Sequence, residues 1–151
     1  EYLKRYPVNQ VAQPSMSSWG FNGYSEVWLD DANDWIYRHL SMITQAMIDL
    51  AYAETSDDLI YRALNQAARE VLLAQSSDWA FIMKAGTMTE YAVMRTHQHV
   101  HQFWQLEQQI RSGRIDVQYL SALEGKDNIF PNLDYRVFRE GVAAEILAQI
   151  S

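Results

Sequence analysis

The residues best suited to grip an uncharged polar ligand fall in two short stretches. Trp19, within Ser17-Ser18-Trp19-Gly20, and the following Trp28 lie where an indole on a loop can offer its flat apolar face to a sugar ring. The plainer alternative is that both indoles pin the loop to the rest of the domain, since large rings are mostly buried. The run Gln75-Ser76-Ser77-Asp78-Trp79 sets an amide, two hydroxyls, a carboxylate and an indole side by side. Ser77, Asp78 and Trp79 could thus bond sugar hydroxyls with a ring stacked alongside. They could equally be a helix end whose Ser and Asp cap the next helix.

Other chemistry finds less support. His97 and His101 are four apart and would share a helical face, but the pattern is not His-Glu-x-x-His and no Cys accompanies them. No metal site is expected at His97, His99 or His101, and a solvated or core-edge face is the reading. The acid pairs Asp30-Asp31 and Asp57-Asp58 sit where acids favour a helix start. None marks a nucleophile for glycoside cleavage, which needs two carboxylates flanking the scissile bond. Phosphate loops, nucleophile elbows and dinucleotide fingerprints are lacking, so no cofactor is expected.

The elements that must position these groups are helical. Residues 1–30 hold Pro7, Pro14 and the turn-rich stretch Pro14 to Tyr24, and read as an ordered aromatic loop. Apolar residues then recur at helical spacing: Leu40, Ile43, Met47 and Leu50, followed by Leu59, Ala63, Ala67, Val71 and Leu72. Thr87 and Glu90 match a capping box, and Gly113 a C-terminal stop. Long helices are expected over roughly 34–53, 57–75 and 88–111. A short helix from Asp116 to Leu123 ended by Gly125, a turn at Phe130-Pro131 and a further helix from Arg136 to Ile150 complete the reading. The fold class is all-α: a bundle of three long helices plus shorter ones, preceded by an irregular loop. The division is loop 1–30, bundle 31–138 and tail 139–151, in one domain.

Composition fits a soluble domain able to bury a core, with 48% apolar and 21% charged residues. No apolar run is long enough to span a membrane. A net charge of -7 argues against nucleic acid, which needs clustered Lys and Arg. With no Cys, disulfides and thiolate chemistry are excluded. The start at Glu1, without Met or leader, reads as a segment of something longer.

Several motifs then converge. Ser17-Ser-Trp-Gly20 with Trp28-Leu29, Asn33-Asp34-Trp35, Arg62 through Glu70, Leu72 through Trp79, Gly86-Thr87, Tyr91-Ala92, Arg95, His99, Phe103, and Phe130-Pro131 with Asp134-Tyr135-Arg136 follow in order. Together they resemble the C-terminal domain of family 57 glycoside hydrolase 1,4-alpha-glucan branching enzymes. The resemblance implies a separate catalytic (β/α) barrel that carries the Glu nucleophile and Asp acid/base, so no catalytic residue is expected in this chain. It implies that Trp19 and Trp28 line the glucan cleft, with Ser77, Asp78 and Trp79 facing it. The implied partners are an alpha-glucan and that barrel, in a cytoplasmic enzyme of glycogen biosynthesis. A 4-alpha-glucanotransferase, an amylase or a non-catalytic helical interaction module are the alternatives.

Overall fold

The computed structural model describes residues 2–8 and 12–140. They form α1 (Tyr2–Arg5), α2 (Trp35–Ala51), α3 (Asp58–Ala74), α4 (Ser77–Ala85), α5 (Thr89–Ser112) and α6 (Val117–Lys126), with 3-10 turns at Phe21–Gly23 and Tyr135–Phe138. No strand occurs among the described residues, and no helix there is long and apolar enough to cross a membrane.

The three long helices lie where the apolar spacing puts them, and their ends show why. Asp57 accepts hydrogen bonds from the backbone N–H of Leu59 and Ile60, capping α3. Asp116 does the same for α6 through Gln118 and Tyr119. Gly113 ends α5 in the left-handed conformation, with φ 65°.

Other expected boundaries move. The capping box is not made: α5 starts one residue late for it, with Met88 at the cap and no side-chain bond there. Glu90 therefore sits one position short of where it could reach back. Gly125 lies inside α6, because the Asp127 N–H still bonds Leu123 O and carries the helix past it. The polar run 75–78 is only a brief break, since Ser77 opens α4. After Tyr135–Phe138 the backbone is extended at Arg139, and the rest of the expected 136–150 helix lies outside the described residues. The N-terminal stretch, expected to be irregular, includes the single turn of α1.

Replacing Asp57 by Ala should cost about 1 kcal/mol, lowering the melting temperature by about 2–4 °C. Thr87→Ala and Glu90→Ala should each stay within about 0.5 kcal/mol. Thermal unfolding followed by circular dichroism checks both, and a large loss at Thr87 would restore the capping box.

α3 and α5 form the central pair, with α4 laid on α5 and α2 and α6 flanking α3. Ala63, Ala67, Ala68 and Ala74 are essentially fully buried, so the α3 backbone can come close to its neighbours. Ile43, Met47, Leu64, Val71, Phe103, Leu106 and Leu120 fill the core around them. Tyr135 closes it: its hydroxyl donates to Ala53 O at 2.8 Å and its N–H to Asn65 Oδ1 at 2.9 Å. A smaller second core (Ile36, Ala80, Met83, Ala92) sits under the aromatic loop and α4.

Candidate functional site

The loop that carries Trp19 is held by its own backbone and by one buried amide. Ser18 N–H donates to Gly23 O and Ser18 Oγ accepts from Ser25 N–H, both at 2.6 Å. Gly20 takes φ 99°, and a Cβ there would meet Val27 Cγ2 at 2.6 Å, so only glycine fits beside the indole. Asn22 and Ser25 also hold positive φ, at 56° and 72°. Asn33, fully buried, accepts from Asp30 N–H and donates to Val27 O at 2.9 Å and Ala80 O at 3.0 Å. That single side chain ties the loop to α4. Lys84 and Asp30 add an ion pair across the same joint, which holds the Asp30 carboxyl below its ordinary range.

The result is an open aromatic face. Trp19 is 71% exposed; its ring lies 5.8 Å from Phe81 of α4 and 6.2 Å, edge-on, from Trp28. Trp28 is half-buried on the second core, and its carbonyl accepts from the Tyr37 hydroxyl. Phe21, Tyr24 and Leu29 of the same loop are exposed too. Ser77 and Asp78 are exposed in the first turn of α4, four and three residues before Phe81, which puts them on its side of the helix. Asp78 accepts a hydrogen bond from Ser76 Oγ at 2.8 Å.

Trp79 goes the other way. Its indole lies along α5, edge-on to Tyr91, under Arg95 and stacked on His99 at 6.5 Å, with Nε1–H donating to Leu73 O. The structure therefore brings Trp19 to Trp28 and to Phe81 of α4, leaves Ser77 and Asp78 exposed about one turn before Phe81, and uses Trp79 to seat α4.

The histidines separate as well. His97 is exposed and stacks on Trp35 at 4.8 Å, and His101 is exposed. His99 is fully buried, its Nδ1 2.7 Å from Glu70 Oε2. Asn33 and Glu70 stand in the sequence only as members of family motifs with no site role, and Phe81 and Asp127 stand in no motif at all. For Glu70 a signal existed: it falls seven residues after Ala63 and three after Ala67, which places an acid on the buried stripe of α3.

The sequence profile described as "1,4-alpha-glucan branching enzyme, C-terminal" matches residues 39–138. The chain belongs to that family. A 1,4-alpha-glucan branching enzyme of Thermococcus kodakarensis is 31% identical over 118 residues, covering 75% of this chain and 18% of that protein. Among solved structures, the alpha-amylase AmyC of Thermotoga maritima is 45% identical with a TM-score of 0.73, covering 91% of this chain and 25% of that one. The family 57 branching enzyme of Pyrococcus horikoshii is 31% identical with a TM-score of 0.78, covering 91% and 27%. The chain thus spans about a quarter or less of these relatives' length. The branching-enzyme family match includes Ser77 to Trp79 and begins after the aromatic loop, so Trp19 and Trp28 rest on the geometry described above.

Proposed function

We propose that this domain lends the exposed face of Trp19, Trp28, Ser77 and Asp78, seated by Trp79, to the glucan cleft of a 1,4-alpha-glucan branching enzyme. The observation that carries the reading is the open Trp19 ring beside Phe81, on a helix whose first turn exposes Ser77 and Asp78, in a member of this family. Sugar rings present apolar C–H faces and hydroxyl edges, and this strip offers an indole for the first and hydroxyl and carboxylate oxygens for the second. Transfer to a 6-hydroxyl requires the glycosyl-enzyme intermediate to meet an acceptor before water, and stacked rings both hold a chain and exclude water. The cleaving carboxylates belong to a separate barrel in this reading, and the enzyme serves glycogen synthesis in the cytoplasm.

The full protein should create new α-1,6 linkages in amylose, read by debranching and chain-length analysis. This chain alone should show no turnover. Activity of the isolated chain would overturn the division of labour. The 45% identity to an alpha-amylase supports a second reading, in which the protein hydrolyses α-1,4 bonds or transfers them without branching. New reducing ends without α-1,6 branch points would decide for it.

A further inference from the structure

The interior between α3, α5 and the end of α6 holds charge that the aromatic face does not use. Glu70 and His99 are fully buried and Asp127 is 6% exposed, and one donor atom from each lies within 4.8 Å of the others. Glu70 is oriented on both oxygens. Gln66 Nε2 donates to Oε1 at 2.8 Å, while Oε2 faces His99 Nδ1 and, with the Gln102 amide turned to donate, Gln102 Nε2 at 3.2 Å. Gln66 Nε2 also donates to the backbone carbonyl of Asp127 at 3.2 Å, tying the end of α6 to α3. Arg95 stands 3.7 Å from Asp127 Oδ1, but Oδ2 is buried with no hydrogen-bond partner, and Lys126 Nζ comes only to 3.8 Å. Arg95 Nε, His99 Nε2 and the Tyr119 hydroxyl around the same centre are likewise unpartnered. Burial, followed by the charge on Glu70, pushes that hydroxyl up to about 12.

A buried carboxylate oxygen without a partner is costly, and so clustered a set of orphaned groups calls for an ordered water or an ion. The donor set decides between them. An imidazole nitrogen and two carboxylates converge from three elements, the combination that binds zinc-type divalent cations. Gln66 and Gln102 already orient the Glu70 carboxylate as outer partners of a metal ligand do, while the Asp127 carboxylate has only the ion-pair contacts of Arg95 and Lys126.

We propose that Glu70, His99 and Asp127 form a buried site for one divalent cation of the zinc type. Binding displaces the proton shared by His99 Nδ1 and Glu70 Oε2 to solvent, and the two atoms would part beyond their 2.7 Å contact so that both could ligate the ion. The site clamps α3, α5 and α6 together beneath Trp79, and it stands independently of the glucan reading.

The test uses the purified protein, stripped with a chelator, dialysed against Zn2+ and assayed for metal content and melting temperature. One zinc per chain is expected, with a higher melting temperature in its presence. Asp127→Asn, with its fold checked by circular dichroism, should weaken binding at least tenfold. His97→Gln with His101→Gln, which removes the exposed histidine pair, should leave binding unchanged. Co2+ titrated into the unsubstituted protein should give the visible bands of a nitrogen- and oxygen-ligated ion, a readout that no variant needs to survive. Failure to retain zinc, zinc lost with the exposed pair but kept by Asp127→Asn, or a featureless Co2+ titration would each overturn the site and leave a water-filled polar network.

Discussion

Replacing His99 by alanine is expected to destabilise the metal-free protein by about 3–5 kcal/mol, because Glu70 would be left as a buried charge without its partner. The geometry sets the size of the effect. Both side chains are fully buried, their contact is 2.7 Å, and α3 and α5 meet there at the central packing of the bundle. Gln66 and Gln102 give Glu70 amide partners, which soften the loss without balancing the charge. The same change removes the imidazole on which Trp79 stacks, so the seat of α4 loosens as well. Single domains carry about 5–15 kcal/mol of stability in total, so the variant should sit close to unfolding at room temperature. Glu70→Ala should cost less, since it removes the buried carboxylate itself and leaves a single ring nitrogen to be satisfied. The double variant should cost clearly less than the two singles added, because each single already breaks the pair. Urea denaturation monitored by circular dichroism measures all three. A loss at or below about 1 kcal/mol for His99→Ala would show that the charge on Glu70 is met by water or by the amides alone.

Much of this architecture was legible because it depends on spacing. Leu40, Ile43, Met47 and Leu50, or Ala63, Ala67 and Val71, announce a buried helical face wherever they occur. Asp57 and Gly113 act within a residue or two of where they stand, so their effect can be read locally. What failed depended on position along a helix to within one residue. Thr87 and Glu90 have the right chemistry for a capping box, yet the helix begins at Thr89 and strands them. Gly125 has the right chemistry for a stop, yet Leu123 O finds the Asp127 N–H and the helix continues past it. α4 is not legible as a helix of its own, because its opening, Ser77-Asp78, looks the same as a polar loop.

The site divides in the same way. Trp19 stands out because an indole between Ser18 and Gly20 in a turn-rich stretch is unusual, whereas Trp28, between Val27 and Leu29, gains its place only from the family resemblance. Which way each ring points could not be read. Trp79 and Asp78 are adjacent in sequence, and the helix turns one toward α5 and the other outward. His97, His99 and His101 look like one cluster on paper, and only the packing of α5 against α3 shows that His99 belongs with Glu70 and Asp127. Long-range partners of this kind leave no local pattern except a misplaced polarity, such as Glu70 on an alanine stripe.

Trp19→Ala in the full protein is expected to lower the rate of glucan transfer by about 5- to 150-fold while leaving the melting temperature within about 2 °C. The first figure follows from the ligand contact: stacking on a flat ligand is worth on the order of 1–3 kcal/mol per ring, and each 1.36 kcal/mol is a factor of ten. The second follows from burial. An indole that is 71% exposed has little packing to lose, whereas truncating a core Trp costs about 3–5 kcal/mol. The loop itself does not depend on the ring, because Ser18, Gly20, Gly23 and Ser25 hold it through backbone and hydroxyl bonds, and Asn33 anchors it to α4 from below. Trp28→Ala supplies the contrast. That ring packs on the second core, so its loss should lower stability and activity together. Initial rates on amylose, set beside thermal unfolding of the same preparations, separate the two. A Trp19→Ala protein that melts many degrees lower, with normal specific activity in its folded fraction, would make Trp19 a packing residue and move the glucan contact elsewhere on the domain.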